Sequence, residues 1–258
     1  VTHLAHRLTM LAGIAAPLFA LAIASSPAMA QESNTTSQWA LGVGVGTQNE
    51  PYRGMDSKTR VLPLIIFENR WVRVAGLGAE LKLYNDGPFS LGLAARYSLS
   101  GYESDDAPIL NGMDERKGGL WAGPTAGWRT DFGNFTAELL GDASGHSKGT
   151  QVKLGVDHPF PMGSFRLTPR LATIWRDAKY VDYYYGVEAH EVRADRPLYE
   201  GRSTTDYELG LRTDYRITPN HSVFLDVSAT GFGKAVKDSP LVDRTTQTSV
   251  RLGYVYRF

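Results

Sequence analysis

Asp142, Ser144, His146 and Ser147 lie close together in the stretch DASGHS. A serine becomes a nucleophile when a neighbouring base takes its proton, and an acid then holds that base in place. Here the order is Ser-x-His between glycines, which is the ordinary chemistry of an Asx or serine turn. The turn reading is preferred, and no catalytic residue is assigned. His190 stands beside Glu188 and Glu191, but one imidazole with two carboxylates is a thin ligand set, so neither metal nor cofactor is assigned. The third cluster is aromatic. Within DAKYVDYYYGVEAHEVRAD (177–195), Tyr183, Tyr184 and Tyr185 with Gly186 form a candidate interaction patch. Tyrosine gives large contact area at small entropic cost. The competing reading places these rings in an aromatic girdle at the lipid headgroups.

The elements that position these clusters alternate with period two. WALGVGVG sets Trp39, Leu41, Val43 and Val45 on one face, against Ala40, Gly42, Gly44 and Gly46 on the other. FSLGLAARYSL, QVKLGVD, YELGLRTDYRI and VFLDVSA repeat the pattern. No helical period of comparable strength follows residue 31, so the chain is read as all-β. The connectors alternate in length. Short ones fall at 68–70, 85–87, 130–134, 160–164 and 217–220. Long ones fall at 47–59, 100–117, 142–149, 177–204 and 232–245, with a tight bend at 75–78. Sorting by parity marks a transmembrane antiparallel up-and-down β-barrel with short periplasmic turns and long extracellular loops. Counting the bend as a hairpin gives twelve strands, with ten as the alternative. The inward faces then carry charges of both signs, among them Arg96, Glu138, Lys153, Arg170, Glu208, Asp226 and Arg251, and a filled or narrow lumen is expected.

The two termini agree with this reading. Residues 1–30 have Arg7, an apolar run from Leu11 to Ala24 interrupted by Pro17, and the triplet Ala28-Met29-Ala30. That is a secretory signal peptide with cleavage expected after Ala30, leaving a barrel domain over 31–258. The whole chain has 27 basic and 27 acidic side chains; loss of Arg7 leaves 26 against 27, a charge of −1. Such balance excludes a nucleic-acid binder. Cysteine is absent, so neither disulfides nor thiolate metal sites hold the fold. The last residues, VRLGYVYRF, put Val250, Leu252, Tyr254, Tyr256 and Phe258 on one face. Arg251, Gly253, Tyr256 and Phe258 resemble the C-terminal signal read by the barrel-assembly machinery.

GVGVGTQNEPYRGMD (42–56), GLGAELKLYN (76–85), GDASGHSKG (141–149), YYYGV (183–187), KDSPLVDR (237–244) and LGYVYRF (252–258) together resemble the MipA/OmpV family of outer-membrane proteins. The resemblance covers nearly all of the chain after the leader. It implies a non-enzymatic barrel in outer-membrane lipid. The family's namesake is similar to a scaffold joining a lytic transglycosylase to a penicillin-binding murein synthase. Other members are described as osmotically regulated or adhesive surface proteins. A narrow passive channel is therefore the alternative expectation, and a lipid-modifying hydrolase a distant third. The terminal pattern makes one expectation testable: Phe258→Asp should leave export intact but lower the heat-modifiable, outer-membrane fraction, because a carboxylate is costly at a closing apolar edge. Unchanged outer-membrane levels would remove that role from the C-terminus.

Overall fold

The structure, a computed structural model, describes residues 37–258. The leader expected at 1–30 and the start of the linker lie outside them. The chain folds as β1 (Gln38–Gln48), β2 (Lys58–Glu68), β3 (Val72–Ala75), β4 (Gly78–Asp86) and β5 (Phe89–Ser98), followed by β6 (Gly119–Thr130), β7 (Gly133–Asp142), β8 (Thr150–Asp157), β9 (Phe160–Met162) and β10 (Phe165–Arg176). A helix, α1 (Ala178–Tyr185), precedes β11 (Thr204–Arg216) and β12 (His221–Gly231); a short helix, α2 (Lys234–Lys237), precedes β13 (Thr246–Arg257).

Neighbours in sequence pair antiparallel, and β13 returns to β1 from Ala40↔Arg257 to Gln48↔Ser249, closing the sheet. The thirteen segments make twelve staves, because β8 and β9 both pair with β10 as one interrupted strand. The strand expected at 149–159 therefore stops at Asp157. Two prolines account for the break. Pro159 cannot donate to the ladder, and Pro169 of β10, opposite His158 one rung away, cannot donate either. His158 N instead donates to Pro169 O at 3.3 Å. The bend at 75–78 is a true hairpin, with Ala75 opposite Gly78, which settles twelve over ten.

Faces follow the period-two reading. Leu41, Val43, Leu91, Leu154, Leu209, Leu211, Leu225 and Leu252 point outward and are exposed, as a lipid-facing wall requires. Inside runs a belt of alternating charge. Arg96 meets Glu138; Lys153 Nζ lies 3.1 Å from Glu208, which Arg170 Nε approaches at 3.1 Å. Arg170 Nη1 reaches Asp226 at 2.6 Å, and Arg251 lies 3.8 Å from the same carboxylate. Each pair answers the rule that an ion taken out of water needs a partner and hydrogen bonds. Gly210 faces inward within this belt. A Cβ there would lie 2.5 Å from Arg170 Cζ, so its bare backbone is what lets the guanidinium reach both acids.

Below the belt, Ala40, Leu64, Phe224 and Val255 pack into an apolar floor on one side of the lumen. Gly253 makes room for it, since a Cβ there would lie 2.4 Å from the Phe224 ring. Arg212 stacks over that ring, 4.0 Å from its centroid.

Leu209→Arg places a cation in hydrocarbon and should cost ~2–4 kcal/mol near the midplane. Thr230→Lys sets its cation inside, opposite Glu208 in the ladder, and should be tolerated. Equal yields of heat-modifiable barrel for the two variants would contradict the register.

Candidate functional site: the extracellular lid and the chamber beneath it

The long loops do not project into solvent. They fold inward and build a second, soluble-like core across the extracellular mouth. Its buried members include Tyr52, Tyr102, Leu110, Tyr184 and Val236, drawn from loops that lie far apart in sequence, with Trp121 from the start of β6. The tyrosine stretch is the keystone. Asp177 caps α1 by accepting from Tyr180 N at 2.8 Å, and the helix runs to Tyr185. One helical face carries Tyr180, Val181, Tyr184 and Tyr185, all buried. Tyr184 is 3 % exposed and Tyr185 7 %; Gly186 is buried as well, while Tyr183 packs partly buried against the cluster. The rings thus form neither a headgroup girdle nor an outward patch. They are the underside and centre of the lid.

Hydrogen bonds staple the loops together. Tyr52 Oη donates to Tyr184 O at 3.0 Å, and Ser239 Oγ donates to Tyr185 O at 2.7 Å. Lys117 N donates to Tyr183 Oη at 2.8 Å, and Tyr184 Oη donates to Lys117 O at 3.2 Å. Arg116 grips both Glu191 oxygens, at 2.9 and 3.0 Å, and donates through Nε to Tyr183 O at 2.8 Å. Arg196 donates to the carbonyls of Glu191, Ile109 and Asn111. A buried bidentate pair of this kind fixes geometry, and removing one partner strands the other charge. Burial also pushes the Tyr52, Tyr184 and Tyr185 phenols well above their ordinary range, so they stay neutral.

The other chemical clusters resolve into structure. Asp142 Oδ1 accepts from Ser144 N, and Oδ2 from Ser147 N, Ser147 Oγ and Lys148 N. Ser144 Oγ accepts from Leu120 N at 2.6 Å, and His146 Nδ1 lies 2.7 Å from Gly118 O. The serine and histidine each brace the start of β6, within an aspartate-capped turn. Folding brings Asp114 to His190, 3.1 Å from Nε2, with Glu191 close by. Glu191 is already held by Arg116 and by the Asp114 and Glu188 amides. A cation there would face the guanidinium, so the donor set suits an ion pair better than a metal.

At the other end, Arg251, Gly253, Tyr256 and Phe258 stand along the closing seam. Arg251 joins the belt and Gly253 accommodates Phe224; Tyr256 meets Phe258 edge-on at 5.0 Å, and Phe258 N donates to Trp39 O at 3.1 Å.

Between belt and lid lies a chamber, floored by Arg96, Glu138, Lys153 and Glu208 and roofed by Tyr52, Tyr180, Tyr184, Tyr185 and Phe232. Sequence reasoning did not anticipate this lid. The signal was present in the spacing of Tyr180, Val181, Tyr184 and Tyr185, which share one helical face, behind an Asp cap.

Glu50, in the loop after β1, adds a pH response. Burial pushes its carboxyl up to about 7, against the opposing pull of Lys58, Arg60 and Arg244; Asp106 adds to the rise. Its folded value therefore exceeds the unfolded one, 4.5. The lid is favoured at low pH and loses stability as pH climbs between those values. Hydrogen exchange of the lid amides, corrected for intrinsic rates, should be slower at pH 5 than at pH 8. Glu50→Gln should flatten that difference; an unaltered pH response in the variant would refute the assignment.

Comparison with known proteins gives the chain's family. The family described as "MltA-interacting protein MipA" matches residues 41–258. The chain is 28 % identical to the "MltA-interacting protein" of Escherichia coli K12, over 88 % of this chain and 92 % of that one. It is 24 % identical to "Outer membrane protein OmpV" of Vibrio cholerae, over 86 % and 87 % respectively. Among solved structures, the NanC porin aligns at TM-score 0.46 with 11 % identity, covering 84 % of this chain and all of that one. With nearly every strand matched and the barrel closed, the chain belongs to the MipA/OmpV family of outer-membrane β-barrel proteins.

Proposed function

We propose that this barrel is a non-enzymatic docking scaffold for a murein enzyme, a lytic transglycosylase first and a penicillin-binding synthase through it. The observation that carries the reading is the contrast between the two rims. The extracellular mouth is closed by the lid's own core. The periplasmic rim, where peptidoglycan lies, offers short turns and an aromatic at the tip of one of them: Phe132, in the β6–β7 turn, is 88 % exposed. Asp131 sits beside it in the same turn. The relative named "MltA-interacting protein" supports the same direction. A stable interface needs ~800 Å² per partner, which one turn cannot supply. Several turns must act together, with Trp71 in the β2–β3 turn a further exposed ring.

A narrow-channel reading has one observation in its favour, the charge-lined chamber, and requires the lid to open. Single-channel conductance in planar bilayers separates the two readings, since a scaffold with its lid closed should conduct little.

Capture of a purified lytic transglycosylase on immobilised barrel should weaken several-fold for Asp131→Lys combined with Phe132→Ala, exposed aromatics being frequent interface anchors. Tyr184→Ala acts on the lid and should leave capture unchanged while raising conductance. Loss of capture in Tyr184→Ala, with none in the turn variant, would move the partner to the outer face and end the scaffold reading.

A further inference from the structure

The chamber between belt and lid holds polar groups that the fold itself leaves unanswered. Above Asp226 and Arg251, its wall on β12, β13 and β1 is neutral and polar. Ser228 lies opposite Ser249, and Ser249 opposite Gln48, a single rung across three staves. Thr230 opposite Gln247 forms the next pair of the same wall. Ser249 is 6 % exposed and Glu50 3 %, yet neither Ser249 Oγ nor Glu50 Oε1 has a hydrogen-bond partner. Both residues line the chamber. A buried polar atom left unpaired is costly, so each marks a place where a guest's hydroxyl would be stabilising.

The floor is charged, but its charges stand beside opposite ones. Arg96 meets Glu138, Lys153 meets Glu208, Arg170 bridges Glu208 and Asp226, and Arg176 meets Asp206. Arg251 lies near Asp226, and Glu50 stands among Lys58, Arg60 and Arg244. An ionic guest would meet a like charge in every pair. A neutral hydroxyl both donates and accepts, so it can serve the carboxylate and the cation of one pair together.

The roof supplies aromatic rings. Tyr52 Oη and Tyr184 Oη are engaged by carbonyls of the lid, which leaves their carbon rings for the chamber. Tyr52 and Tyr185 lie stacked, with centroids 5.8 Å apart. The electron-rich face of such a ring attracts C–H bonds polarised by neighbouring oxygens. The space is about 120 Å³. A cavity of ~150 Å³ holds one benzene in a protein interior. One six-membered ring is therefore the right size, and a disaccharide is too large.

We infer that the chamber is a binding site for a neutral monosaccharide. Its hydroxyls bond the Ser228–Ser249–Gln48 rung and Glu50 at the side, and the Arg96–Glu138 and Lys153–Glu208 pairs below. Its C–H face packs under the tyrosines. The lid must open to admit it. The site lies above the Phe224 floor, in the extracellular half, and does not depend on the scaffold reading.

The test uses the whole barrel in lipid nanodiscs free of glycoside detergent, each variant first checked for heat-modifiable folding. Glucose, galactose and mannose are the probes. Saturation of the aromatic protons should pass to the ring C–H protons of at least one of them. That sugar should bind about tenfold more tightly than its uronic acid, its amino sugar or cyclohexanol. Ser228→Phe fills the space and should abolish binding. Ser222→Phe, on the same stave but beyond the Phe224 floor, should leave it unchanged. Ser249→Ala, too small a change to disturb folding, should weaken binding several-fold. No transfer to any of the three sugars would make the chamber a water-filled space and overturn the inference. Equal binding of cyclohexanol or of the charged analogues would overturn it too, as would binding indifferent to Ser228→Phe and Ser249→Ala.

Discussion

The seam between β1 and β13 is the interaction on which everything else depends. In hydrocarbon no water is available to satisfy a peptide group, so the sheet must bite its own tail. That requirement explains why β13 pairs with β1 from Ser249 to Arg257, and why Phe258 N finds Trp39 O. Closure also fixes orientation for every other residue. Once the apolar faces look outward, the remaining faces must share a narrow interior. Their charges then have to neutralise one another across strands, which is what the Arg170–Glu208–Asp226 cluster does.

The lid extends the same logic into the loops. Outer-membrane loops have a free choice between solvent and lumen, and here they have taken the lumen, joining through tyrosines and an arginine–glutamate clasp. The result is a molecule with a sealed outer end, a charged waist and an accessible inner rim. Its two ends are chemically unlike, and they offer themselves to different surroundings.

Most of the barrel was legible because period-two alternation is a local signal. Strand positions, inward charges and the parity of the loops all come from it, and the hairpin at Ala75–Gly78 was readable from its bend. The interruption at Asp157–Phe160 was not, since it depends on Pro159 and Pro169 falling on adjacent rungs of the ladder, a coincidence between distant residues. The lid lay further out of reach. Its tyrosines have helical spacing, but their burial requires Tyr52, Tyr102 and Phe232 from three other loops. Likewise Asp114 and His190 meet only through folding, and Glu191 was readable as a possible ligand only while its arginine partner was unknown.

The charged waist has a consequence for life in changing salinity. Ions in the medium screen charges that stand in water and barely reach those enclosed by protein. Arg170, Glu208 and Asp226 are enclosed, whereas a bridge such as Lys117–Glu115 stands in the open. A swing in external ionic strength would therefore loosen the outermost loop contacts and leave the girth of the wall as it was. Shape is insulated from the environment at the waist, and sensitivity to it is confined to the crown.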